Sequence, residues 1–138
     1  MAEPKTKKTK ASVKGFLAKV TDPVKRRDAQ AVCAMMERLS GSPPAMWGPS
    51  IVGFGAHDWI TADGRATPWP IAAFSPRSTS LVVYLMPSFP SRDALLAKLG
   101  KHSIGKSCLY VKRLDDVHLP TLEALVTKSI AARKAKNS

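Results

Sequence analysis

Residues 100–108 read GKHSIGKSC, and Gly100, Gly105, Lys106 and Ser107 satisfy the phosphate-loop pattern G-x-x-x-x-G-K-[ST] without a mismatch. In a nucleotide-binding enzyme this pattern follows a strand and opens a helix, so that backbone N–H groups and the helix N-terminus converge on the phosphates. Here the flanks have the opposite order. Leu95, Leu96 and Leu99 before the loop have helical spacing, and residues 108–114 after it have strand character. The reversal argues against a nucleotidase. What remains is a flexible backbone with two ammonium groups, Lys101 and Lys106. Such a loop can hold a phosphate or carboxylate on exposed N–H groups outside that fold.

Other residues extend the candidate site. Arg77 follows Ser75-Pro76 and carries a planar fork suited to carboxylate or phosphate. His102 lies inside the loop, and Trp47, Phe54, Trp59, Phe74 and Tyr84 are candidates for an apolar wall. Mostly aromatic lining with a few polar groups is the usual make-up of a ligand pocket. The same residues fit a second account, in which the glycines stop a helix and make a turn, the lysines are solvated and the aromatics are core. For a metal, the candidates are His57, Asp58, Asp115 and Asp116, since iron without a tight cage favours oxygen ligands. Cys33 and Cys108 have no paired spacing and are expected as small buried hydrophobes. A Cys108 pair with His102 or His57 can be drawn, with Lys106 lowering the thiol pKa. No nucleophile elbow and no paired carboxylates accompany it, so no enzymatic activity is expected.

The elements that must position these residues can be read from spacing. Asp22-Pro23 marks a helix start, with Asp at the cap and Pro in the first turn. Ala29, Val32, Cys33, Met36 and Leu39 then form one face of a helix that ends at Ser40-Gly41. Phe16, Leu17 and Val20 suggest a short helical turn before it. Met46-Trp47-Gly48-Pro49 is expected to be irregular. Ile51–Phe54, Trp59–Thr61, Ile71–Phe74 and Leu81–Met86 are expected strands, with a turn at Asp63-Gly64. Ser91 is expected to cap a short helix closed by Gly100. In the strand from Cys108, Leu109 and Val111 point one way, Tyr110 and Lys112 the other. Asp115-Asp116 turns the chain into a final helix from Thr121 to about Ala135. Short links between the middle strands favour antiparallel pairing. The expected class is therefore α+β, a single domain with a mainly antiparallel sheet of about five strands and helices packed against it.

The 138 residues carry a net charge of +12, and its placement matters. Residues 1–19 contribute +5 and residues 128–138 contribute +4, leaving only +3 between them. Residues 1–12 are expected to be a disordered basic tail, residues 13–131 the folded domain and residues 132–138 a second basic tail. Basic ends can associate weakly with nucleic acid through counterion release, or simply remain solvated. No apolar run approaches the length of a membrane span, and no apolar h-region follows the basic N-terminus. A cytoplasmic protein with no membrane contact is expected.

Taken in order, Trp47-Gly48-Pro49, the Ile51–Gly55 run, Phe74-Ser75-Pro76-Arg77, the Leu81–Met86 run and GKHSIGKSCLYVKRLDD resemble the YdhG-like family, domain of unknown function 1801. The resemblance covers about Phe16 to Val126. It implies a small cytosolic α+β protein with no established enzymatic activity. One branch is described as a frataxin-like iron chaperone. Relatives tend to carry tyrosines after the G-F-G segment, where this chain has Ala56-His57-Asp58-Trp59. The resulting expectation is a non-enzymatic binding protein for a small anionic or polar ligand, with no cofactor. Frataxin-like iron binding is the alternative, and weak nucleic-acid association through the tails a second one.

Overall fold

The computed structural model describes residues 12–47, 51–55, 57–60, 64, 66–77, 80–85, 89–105 and 108–136, with 57–60, 66–69 and 133–136 described through their backbone alone. Two helices come first, α1 (Val13–Ala18) and α2 (Pro23–Ser40). Six strands follow: β1 (Pro44–Trp47), β2 (Ile51–Phe54), β3 (His57–Ile60), β4 (Ala66–Trp69), β5 (Ala72–Pro76) and β6 (Leu81–Tyr84). Then come α3 (Arg92–Leu99), β7 (Ser103–Ile104), β8 (Cys108–Val111), a 3-10 turn (Leu114–Asp116) and α4 (Leu119–Lys136).

The class is α+β. The main sheet is antiparallel, in the order β1-β2-β5-β6-β8-β7, and β3 and β4 form a separate two-stranded ribbon. It has six strands where about five were expected. The expected strand at Trp59–Thr61 corresponds to β3 of the ribbon, whose partner β4 was not expected. The two unexpected strands of the main sheet, β1 and β7, are both at its edges. Pro44 opens edge strand β1, a position where a missing N–H does no harm. The segment 46–47, expected to be irregular, is thus part of a strand. β7 has only two residues, too few for alternation to show in the sequence. Gly64, at φ +84°, fits the expected turn between β3 and β4, while Asp63 lies outside the described residues.

Capping explains α2. The Asp22 carboxylate accepts from Val24 N at 2.8 Å and Lys25 N at 3.2 Å, and Gly41 closes the helix at φ +69°. Those two N–H donors hold the Asp22 carboxyl below its ordinary range. Ser91 behaves differently from its expected role. It sits at φ +70° and makes no side-chain cap bond, because the turn closed by Arg92 N to Phe89 O puts it in the left-handed region. At the C-terminus α4 continues to Lys136, so residues 132–136, assigned by charge to a tail, are helical.

Register divides the sheet into two faces. Val52, Phe54, Phe74, Leu81, Val83, Leu109 and Val111 share the helix-facing side and are all buried. They pack with Val32 and Met36 of α2, Leu96 and Leu99 of α3, and Leu122, Leu125 and Val126 of α4. The other face carries Trp47, Gly53, Ala73, Val82, Tyr84, Cys108, Tyr110 and Ser103. Among the described residues no helix is long and apolar enough to cross a membrane.

Candidate anion-binding site

The Gly100–Ser107 stretch is not the strand–loop–helix of a nucleotide-binding enzyme. It leaves helix α3, forms β7 and turns back into β8, with Gly105 N donating to Cys108 O at 2.8 Å. Lys106 and Ser107 lie outside the described residues. Gly100 has a structural task. Its φ is +114°, and a Cβ there would come within 2.6 Å of Asp116 O. The close approach lets Lys101 N donate to Asp116 O at 3.1 Å and His118 N donate to Leu99 O at 2.7 Å. The loop is thereby fixed against the 3-10 turn.

Beside it lies a cavity of about 320 Å³. Lys101, His102, Ser103, Tyr110 and Lys112 line it, with Ser103 and Tyr110 direct partners across the β7–β8 pair. Ser80 and Asp116 complete the lining. Four elements converge here because antiparallel pairing brings the start of β6, the end of β8 and the start of β7 to one end of the sheet. Lys101 and Lys112 are exposed, and Tyr110 is 37% exposed. His102 Nδ1 donates to Gly100 O at 2.7 Å, since a carbonyl can only accept. Its Nε2 is therefore the nitrogen left for a ligand, as an acceptor in the neutral ring and a donor in the charged one.

A polar cluster continues across the outer face. Arg77 Nη2 donates to Tyr84 Oη at 3.3 Å. The Arg77 backbone N–H donates to Ser80 O at 3.0 Å, which ties the end of β5 to the start of β6. Cys108, through its charge and its hydrogen bond, pushes the Tyr110 hydroxyl above its ordinary range, while the Arg77 cation opposes the shift. Cys33 is different. Burial on α2, helped by Glu37, pushes its thiol up to about 11.

The structure brings together His102 and Gly105 in the loop and Arg77 and Tyr84 on the outer face, but it separates three expected wall residues from all of them. Phe54 and Phe74 are fully buried on the helix-facing side, their rings stacked with centroids 6.4 Å apart. Trp47 is 1% exposed and lies over Gly53, where a Cβ would meet its indole nitrogen at 2.6 Å. Alternation turns Phe54 and Phe74 toward the helices, whereas Trp47, on the outer face, is buried by lying flat over Gly53. Tyr110, Lys112, Ser80 and Ser103 were not singled out. The alternation of β8 was the available signal, since it sets Tyr110 and Lys112 opposite Leu109 and Val111.

Of the metal candidates, Asp115 and Asp116 fall among the described side chains. Asp115 is exposed in the 3-10 turn, and Asp116 faces Lys101 through its main chain. The His57 and Asp58 side chains lie outside the described residues. Among the described residues no group of three His, Cys, Asp or Glu side chains is close enough to hold a metal ion. Comparison with known proteins returned no match to a family model, to a curated protein or to a solved structure.

Proposed function

We propose that the protein binds a small anionic ligand, with a phosphate or carboxylate group, in the cavity beside the Gly100–Gly105 loop. The observation that carries this reading is that Lys101, Lys112 and His102 line one cavity of about 320 Å³ together with a tyrosine. Two ammonium groups supply charge, Ser80 and Ser103 supply hydroxyl donors, and the Tyr110 ring offers a surface for an apolar part of the ligand. Both lysines are exposed, so binding is weakened by salt. The YdhG-like resemblance agrees with a small binding protein.

Calorimetric titration with inorganic phosphate and with thymidine monophosphate at low salt tests this. Lys101→Ala with Lys112→Ala is expected to weaken binding by about tenfold or more, because each lysine donates charge-assisted bonds. The unfolding midpoint should stay where it was. Undiminished affinity in a folded double variant would refute the site.

A further inference from the structure

The cavity does not end at Lys112. A narrow cleft lined by Lys25, Asp28, Arg77, Leu81 and the same Lys112 adjoins it. That cleft shares Lys25 and Arg77 with a third concavity of about 310 Å³, which adds Phe16, Val20 and Lys19. The three form one row across the ends of β5, β6, β8 and β7 and onto the α1–α2 junction. Neighbouring strands lie about 4.8 Å apart, so the four strand ends alone span roughly 14 Å. Lys101, Lys112, Arg77, Lys25 and Lys19 follow one another along this row. Three carboxylates border it. Asp22 is engaged with Val24 N and Lys25 N, and Asp28 accepts from Leu114 N at 3.0 Å. Asp116 is a lining residue of the first cavity, and its main-chain carbonyl accepts from Lys101 N.

We infer that this row is a track for single-stranded nucleic acid, with the anion cavity at one end of it. The inference rests on the proposed anion site and extends it. A single phosphate needs two or three of these cations, whereas five, three at strand ends and two at the α1–α2 junction, suit a chain of phosphates. Tyr110, exposed beside Lys112, supplies a flat ring on which a base stacks, and Phe16 lines the far concavity. Stacking favours single strands over duplex, whose bases are already paired. The track is built from residues of the folded domain, of which Lys19 also closes the basic stretch 1–19.

Fluorescence anisotropy on the full chain decides the matter, with an oligothymidylate of about ten nucleotides compared against thymidine monophosphate. The oligonucleotide should bind at least about tenfold tighter, with log K falling against log salt at a slope near −3 for four or five phosphate contacts. Lys19→Ala with Arg77→Ala should reduce that slope by about 1.4. Tyr110→Ala should cost about tenfold and Tyr110→Phe almost nothing, since the ring is retained. Several results overturn the inference while the small-ligand reading stands: an oligonucleotide no tighter than the mononucleotide, a Lys19/Arg77 variant that binds like the wild type, or a Tyr110→Ala variant with unchanged affinity. If the oligonucleotide alone binds, loss in the Lys101/Lys112 variant upholds the track and retention overturns it. If neither ligand binds, both readings fail.

Discussion

The two sides of the β6–β8 pair use the same strands for opposite purposes. On the helix-facing side Leu81, Val83, Leu109 and Val111 are buried against α2, α3 and α4. One residue along, Tyr84, Cys108 and Tyr110 present a hydroxyl, a thiol and an aromatic ring to a surface edged by Arg77 and Lys112. The strand period of two makes both possible within four residues. The lesson is that a side chain's work here depends on parity along the strand more than on residue type. Phe74 and Tyr84 are both aromatic, yet one is core and the other bonds an arginine.

Substitutions on the two faces should separate most sharply. Phe74→Ala empties a fully enclosed ring site and is expected to cost about 3–5 kcal/mol of stability in denaturant unfolding. Tyr110→Ala should leave the midpoint nearly unchanged. Comparable losses at both sites would mean that the outer face is also closed core, and the binding surface would lose its basis.

The two glycines of the phosphate-loop match provide a second, smaller contrast. Gly100→Ala forces a Cβ onto φ +114° and against Asp116 O, at a cost of about 2 kcal/mol. At Gly105 the nearest heavy atom to a new Cβ is 3.7 Å away and no positive φ is required, so Gly105→Ala should cost less than about 1 kcal/mol. Equal effects would mean that the loop is not docked through Gly100.

The smallest effect concerns the thiol on α2. With its value raised from 9.0 to about 11, Cys33 holds neutral sulfur more strongly in the fold than in the open chain. Its contribution to stability is therefore full below pH 9.0 and is lost as pH rises toward about 11. Cys33→Ala should remove that part of the alkaline decline, read as the difference between the two unfolding curves. In a Cys108→Ser background, the rate of thiol modification should rise about tenfold per pH unit up to pH 10, as the thiolate fraction grows. A plateau near pH 9 would mean that the partial burial of Cys33 does not raise its thiol.

Local signals made much of the fold legible. Asp22-Pro23 and Gly41 bounded α2 because capping acts within a few residues, and the run of Val, Tyr and Leu marked β6 because such residues suit a pleated interior. Edge strands β1 and β7 escaped notice. One begins with Pro44 in a Pro-rich segment, and the other is too short for a period. The site was half legible. Lys101 and His102 stood out in the loop, whereas Ser80 and Lys112 gained meaning only through partners distant in the chain.

Sequence alone therefore determined the helices, most of the strands, the charge at the two ends and the reversed order that sets GKHSIGKSC apart from a nucleotide-binding loop. Each depends on neighbours within a few residues or on a sum over all of them. Tertiary structure alone decided that Trp47, Phe54 and Phe74 are interior and that Lys101, Lys112, Arg77, Lys25 and Lys19 fall in one row. Those outcomes depend on strand order and register, which are set by contacts between segments far apart in the chain and leave no periodic mark in any single segment.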